Sequence, residues 1–362
     1  MQIGIIGLPN STKTTIFNAL THSQFETAAF SSGQVEIHTA MVRVPDPRVD
    51  HLSAMFRPRK TTYAQVQYND IAGLRVGICR EGGLSGPLRN VLAQNDAFLH
   101  VVRAFEDPNV PHPGSSVNPV RDLAALDFEL LFSDLLIVDR SMERLAGQLS
   151  KKKVYPERQA DEALLALLWR LKEALERESP IRDLALTPEE MSMIRGYQFF
   201  TAKPVLVVLN VGDQGSDDPD SYVSYPHRRS GVICLRGELE MEIARLDDEE
   251  SALFLAEYGI EEPGLHRMIR LSYGLLGLHS FFTVGEDEVR SWTIPVGATA
   301  LEAAAAIHSD LARGFIRAEV VGYDDLLAAG SLDAARKQGT LRLQGRDYVV
   351  EDGDILNIRF NV

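Results

Sequence analysis

The first twenty residues, MQIGIIGLPNSTKTTIFNAL, constrain the fold more than any other stretch of the chain. Gln2 to Gly7 is a short apolar run ending in glycine, the pattern of a buried parallel strand. From Lys13 onward, Ile16, Phe17 and Leu20 recur at helical spacing. The segment between them, Gly7 to Thr14, follows the phosphate-binding pattern G-x-x-x-x-G-K-[ST], except that Thr12 stands where the second glycine belongs. Such a loop aims consecutive backbone amides at phosphate oxygens in front of a helix N-terminus. Its lysine meets the outer phosphates and the hydroxyl after it ligates Mg2+. A threonine in place of the glycine adds a branched Cβ where the chain should approach the phosphates closely, and demands an unfavourable backbone conformation.

An imperfect loop alone fits an ordinary strand–turn–helix as well as a ligand site, but two further motifs accompany it. Asp70-Ile71-Ala72-Gly73 follows the strand-like TTYAQVQYN and has the D-x-x-G form, with an aspartate for Mg2+ and a glycine amide for the terminal phosphate. Asn210-Val211-Gly212-Asp213 closes the apolar run PVLVVLNV and has the N-x-x-D form of a base-reading loop. Three motifs in this order, each at the carboxyl end of a strand, point to a nucleotide site. The candidate nucleotide-binding residues are Asn10, Ser11, Thr12, Lys13, Thr14, Thr15, Gly73, Asn210, Val211 and Asp213. Thr14 and Asp70 are candidate metal ligands.

Further apolar runs, AFLHVV (Ala97 to Val102) and VICL (Val232 to Leu235), read as inner strands of an α/β sheet covered on both faces. From Pro119 to Ala202 the pattern changes to apolar residues at steps of three and four. A break at KKKVYPE, with Pro156 placed to open a second helix, makes this an inserted helical hairpin. Its Leu164, Leu168, Leu171 and Leu175 stripe is expected to form hairpin core. After Leu276, EVRSWTIPVG and LRLQGRDYVVEDGDILNIRFNV alternate as strands do, with QGRD and EDGD as turn signals. One helix, ALEAAAAIHSDLARGF, is expected between them, giving a small β-grasp module. Within it, His308-Ser309-Asp310 holds the residue types of a hydrolase triad. Consecutive helical positions point about 100° apart and cannot form that relay.

At 362 residues the chain is long enough for two or three domains. Its net charge of −14 argues against a broad nucleic-acid-coating surface. A local basic patch at Arg57, Arg59 and Lys60 is the one candidate RNA contact, with a solvated loop as the plainer reading. Two cysteines far apart, Cys79 and Cys234, make neither a disulfide framework nor a metal set. No secretion signal precedes the first strand, and no apolar run approaches membrane-spanning length. A cytoplasmic protein with no membrane partner is expected.

The segments GLPNSTKTTIFNALT, VPDPRVD, DIAGL, HVVRAFEDPNV, NPVRD and KPVLVVLNV resemble the YchF / Obg-like ATPase family of translation-factor-class P-loop NTPases. The run from Trp292 to Val362 resembles that family's TGS domain nearly throughout. The resemblance implies an α/β fold with a P-loop G domain at 1–118 and 203–275, an inserted α-helical, coiled-coil-like domain at 119–202 and a C-terminal TGS β-grasp domain at 276–362. It implies ATP or GTP with Mg2+ as ligands and association with the ribosome or its subunits. Aligned back from VPDPR, the family's switch threonine falls on Gln34, an amide metal ligand of poorer quality. Leu74 occupies the place of a water-positioning glutamine, and the family's loop histidine aligns with His112, the candidate catalytic residue. The base-reading loop ends in Asp213, the guanine-accepting type, where the family usually has glutamate and prefers ATP; Val211 replaces the usual lysine. The reading is a slow Mg2+-dependent NTP hydrolase, weakened by Thr12 and Gln34. The alternative is a non-hydrolysing or nucleotide-free paralogue that acts as a scaffold through its TGS and helical domains.

Overall fold

The computed structural model describes residues 1–21, 37–72, 74–78, 83–114, 116–150, 157–258 and 260–361. Strand β1 (Gln2–Ile6) runs into helix α1 (Lys13–Thr21). Then come β2 (Ile37–Arg43), α2 (Pro47–Phe56), β3 (Lys60–Thr62) and β4 (Gln65–Ile71). α3 (Gly86–Gln94) and β5 (Ala97–Ala104) precede the helices α4 (Pro119–Leu149), α5 (Arg158–Glu176) and α6 (Pro188–Ile194). β6 (Val205–Val211) and β7 (Ser230–Leu235) lead to α7 (Gly237–Ile243), α8 (Asp248–Glu257) and α9 (Gly264–Leu275). β8 (Leu278–Thr283), β9 (Glu288–Pro295), α10 (Ala300–Ile307) and α11 (Ser309–Arg313) come next. The described chain closes with β10 (Phe315–Gly322), α12 (Tyr323–Ala329), α13 (Leu332–Gln338), β11 (Arg342–Gln344) and β12 (Asp354–Phe360).

The chain gathers into two compact units, Met1–Ala40 with Gln67–Met268, and Met41–Val66 with Ile269–Val362. The first is built on a six-stranded sheet in the order β2-β4-β1-β5-β6-β7. β1 pairs in parallel with β4 and β5, and β5–β6 and β6–β7 are parallel too. Every residue of β6 is buried, as its unbroken apolar run requires of a strand covered on both faces. The bases of α4 and the sheet share one core through Leu123, Leu126, Leu130, Phe98, Phe200 and Val207. Farther out, Leu168, Leu171 and Leu175 of α5 meet Val138, Met142 and Leu145 of α4, with Leu164 partly buried at the edge. Pro156, expected to open the second helix, lies outside the described residues; α5 starts at Arg158.

In the second unit the sheet order is β11-β10-β12-β8-β9-β3. α10 lies against it through Ala300, Ala303 and Ala304, packed with Phe281, Ala318, Val320 and Leu356. The sequence reading groups residues 41–66 with 1–118, yet they join this unit: β3 pairs in parallel with β9, and Val49 and Leu52 of α2 are buried with Phe282, Val289 and Leu326. TTYAQVQYN is therefore not one strand, and its start and end serve different sheets. The single helix expected after Thr299 breaks at His308, whose backbone is extended and whose Nδ1 accepts the Asp310 amide at 3.2 Å, starting α11. α12 and α13 lie in YDDLLAAGSLDAARKQ, where Ser331 and the left-handed Gly330 and Gly339 supply their caps.

Candidate nucleotide-binding site

β1 ends against β4 and β5, so the loop Gly7–Thr12 leaves the carboxyl edge of the sheet between their ends. Gly7 is required there: a Cβ would stand 2.5 Å from the Val101 carbonyl oxygen and 2.6 Å from Ser11 Oγ. The loop turns through a Ser11 amide to Leu8 carbonyl bond of 3.2 Å. Asn10 and Thr12 both take left-handed backbone, with φ of 59° and 69°. The sequence expectation for Thr12 is thereby met: it adopts the conformation that a glycine would take more readily. Thr15 lies with Lys13 and Thr14 in the first turn of α1, whose amides have no acceptor within the helix.

Lys13, Thr14 and Asp70 converge. Thr14 Oγ1 donates to Asp70 Oδ2 at 2.9 Å, and Lys13 Nζ donates to the Leu8 carbonyl at 3.1 Å. Asp70, at the end of β4, is 5% exposed, and its Oδ1 has no hydrogen-bond partner among the described residues. Loss of solvent raises the Asp70 carboxyl above its usual range, against the pull of Lys13, Thr14 and His38. Loss of solvent likewise lowers Lys13, with Asp70 opposing. Each group thus stabilises the charge that burial disfavours in the other. Gly73 and Gln34 lie outside the described residues.

The N-x-x-D motif reaches the loop through Asn210 rather than Val211. Asn210 is buried, donates from Nδ2 to Thr12 Oγ1 at 2.6 Å and accepts the Gly237 amide on Oδ1 at 2.8 Å. Val211 is buried in the core, whereas Asp213 is exposed. Arg236, outside every sequence motif, holds this loop: Nε donates to the Asp213 carbonyl, Nη2 to the Gly215 carbonyl, and Nη1 lies 2.7 Å from Asp217 Oδ1. Its one sequence signal is a cation placed directly after the apolar run VICL.

His112 is not a solvated loop residue. Its side chain is 6% exposed, Nδ1 accepts the Gly114 amide at 3.0 Å, and Nε2 lies 2.9 Å from Asp122 Oδ2, off the line of a directed hydrogen bond. Arg103, 2% exposed on β5, shapes the preceding loop by donating to the carbonyls of Phe105, Val110 and Asp107. Asn10 Nδ2 donates to the Pro111 carbonyl at 3.0 Å, so the histidine loop and the phosphate loop touch. A cavity of about 10 Å³ lies behind them, lined by Ser11, His100, Arg103, His112 and Asp122 among others. The basic patch belongs to the other unit, where Arg59 and Lys60 lie 3.3 and 3.5 Å from Asp287 and Glu288.

The family model YchF-GTPase_C, described as a protein of unknown function, matches residues 278–361. A Bacillus subtilis (strain 168) protein named Ribosome-binding ATPase YchF is 40% identical over 372 aligned residues, with 100% of both chains covered. The chain belongs to the YchF family. Another YchF, the Ribosome-binding ATPase YchF of Escherichia coli O157:H7, is 39% identical over 366 residues, covering 100% of this chain and 99% of its own. The solved structure of the Schizosaccharomyces pombe YchF GTPase superposes with a TM-score of 0.82 at 28% identity, covering 99% of this chain and 97% of that one. The YchF likeness therefore runs through both units, and not only through the C-terminal segment that the family model matches.

Proposed function

We propose that the chain is a ribosome-associated P-loop NTPase that binds a purine nucleotide together with Mg2+. One observation carries this reading: Lys13, Thr14 and Asp70 meet at the carboxyl ends of β1 and β4, and a buried Asp70 oxygen has no hydrogen-bond partner among the described residues. A buried carboxylate oxygen with no donor is costly unless a cation or water meets it. Thr14 Oγ1 and Asp70 together form the hard-oxygen donor set that suits Mg2+. Bound there, the ion would neutralise charge on the phosphates. Lys13, whose ammonium donates to the Leu8 carbonyl within the loop, meets the outer phosphates as a point charge.

The other site residues follow from this placement. Asn10 to Thr15 form the phosphate cradle with the Gly73 amide, Asn210 and Asp213 form the base side with Val211 packed in the core behind them, and Gln34 remains the second metal-ligand candidate. His112 acts on a water only after leaving the Gly114 amide and Asp122, so turnover is slow unless that loop opens. Ribosome association, and the cytoplasmic location that goes with it, rest on the relatives named Ribosome-binding ATPase. The scaffold alternative predicts ribosome binding with no nucleotide.

Titration of the whole chain with fluorescent ATP and GTP, with and without Mg2+, tests the reading. Affinity that rises with Mg2+ is expected. Lys13→Ala removes a charge-assisted contact and should weaken binding by roughly 10- to 100-fold. A wild-type protein with no affinity for either nucleotide would leave the scaffold alternative standing. Co-sedimentation with ribosomes, with each nucleotide and without, tests the partner.

A further inference from the structure

Thr12 is a β-branched residue held in left-handed backbone, at φ 69°, in the middle of a phosphate loop. Such a conformation persists only where the surroundings over-determine it. Here they form one run of hydrogen bonds with a single sense. The Gly237 amide, at the start of α7, can only donate, so the Asn210 oxygen must face it and the Asn210 amide must face Thr12. The Thr12 hydroxyl accepts that amide at 2.6 Å and donates to the Ser11 carbonyl. Room for the arrangement exists because residue 237 is glycine: a Cβ there would stand 2.9 Å from Asn210 Nδ2 and 3.0 Å from Oδ1. Asn210 is 3% exposed, so its amide has no bulk water to fall back on.

We propose that Thr12 is a positioning residue for base recognition: its hydroxyl clasps the end of β6 to the phosphate loop and sets where the base-facing loop stands. Selectivity between purine bases, which rests on the nucleotide-binding reading above, then depends on Thr12. The clasp itself does not rest on that reading. The loop after Asn210 has a second fastening in Arg236, which holds the Asp213 and Gly215 carbonyls. With Thr12 in place both ends of the loop are pinned, and the second Asn210 N–H has no acceptor among the described residues. A glycine at position 12 would satisfy the phosphate-loop pattern, yet it would release the Asn210 end.

A double-mutant cycle on the full chain tests the clasp without any nucleotide. Thr12→Val and Asn210→Ala are each expected to lower the melting temperature by about 2–4 °C. The double variant should fall no further than Asn210→Ala alone, and Thr12→Ser should stay close to wild type. Additive losses would overturn the clasp. A second arm measures the ratio of ATP to GTP dissociation constants. Thr12→Val and Thr12→Gly should shift that ratio by roughly 3- to 10-fold, the worth of one hydrogen bond, and Thr12→Ser should not. Coupled stabilities with an unchanged ratio would overturn the role in base selection. No nucleotide binding by wild-type protein would overturn the NTPase reading and the selectivity role with it, while the melting cycle still judges the clasp.

Discussion

At the scale of single residues, the groups the phosphate loop leans on carry costs that conditions can expose. His100 on β5 is 1% exposed, and neither ring nitrogen has a hydrogen-bond partner among the described residues. Burial, with Lys13 and Arg182 nearby, pushes its pKa down to about 3. A histidine depressed below its unfolded value of about 6.5 favours the folded state when neutral. Its contribution is complete above that pH and drains away as pH falls toward 3. In urea unfolding between pH 6.5 and 4, wild type should therefore lose stability faster than His100→Leu, by about 1.4 kcal/mol per pH unit at most. Parallel slopes would show that His100 does not titrate with unfolding. The same histidine shares the 10 Å³ cavity with Ser11 Oγ and Asp122 Oδ2, which also have no hydrogen-bond partner among the described residues. Polar walls and a volume near that of one probe sphere suit a single water. A high-resolution crystal structure should show it bridging Ser11 to His100 or Asp122.

At the scale of elements, the long helix α4 is fastened to the sheet by a carboxylate as well as by its leucines. Asp134 is fully buried and accepts from the Phe200 amide at 3.0 Å and from the Thr201 amide and hydroxyl, both at 2.7 Å. These bonds fix the turn that delivers the chain from the helical insert into β6. Desolvation still raises the carboxyl to about 6, so its bonds offset its burial only in part. Asp134→Ala leaves the two amides buried without acceptors and should cost about 2–4 kcal/mol, read by denaturant titration. A change below 0.5 kcal/mol would mean that packing alone holds the junction. Helix boundaries obey the same logic. α10 and α11 separate at His308 because its imidazole caps α11, an event that apolar spacing cannot register.

At the scale of the whole molecule, the chain crosses from the first unit to the second and back before returning for good. The excursion, residues 41–66, is retained by contacts with the C-terminal segment. Arg48 donates to Asp46 and to Asp352 and lies over the Phe282 ring at 5.1 Å. Arg48 is partly exposed, and so is Asp352, so solvent discounts these ion pairs. Arg48→Ala should cost about 1–2 kcal/mol, mostly through the lost stacking and the unpaired Asp46. Hydrogen exchange should accelerate in α2 and β3 and remain unchanged in β1, β5 and β6. Equal acceleration in both units would refute the grouping of this excursion with the C-terminal sheet.

What the sequence determined by itself were the features written locally. β1, the phosphate loop and α1 follow from an apolar run, a glycine and a 3.6-residue period within twenty residues, and the buried strands β5 and β6 were legible as unbroken apolar runs, whereas β7, read as an inner strand, is the half-buried edge of its sheet. The helical insert showed in its leucine spacing, and Lys13, Thr14, Asp70 and Asn210 in motif order. Tertiary structure alone decided whatever depends on groups far apart in the chain. TTYAQVQYN looks like one strand because its residue types do not record that Thr61 will face Val289 while Gln67 faces Gln2. His112 aligns with a loop histidine in the sequence, but that Asp122 and Arg103 enclose its loop is written only in the fold. Thr12 reads as damage to a glycine pattern until Asn210, 198 positions away, is seen to take its hydroxyl. Side-chain hydrogen bonds between distant segments leave no period in a sequence, because each depends on two residue types and one backbone approach that only the assembled sheet provides.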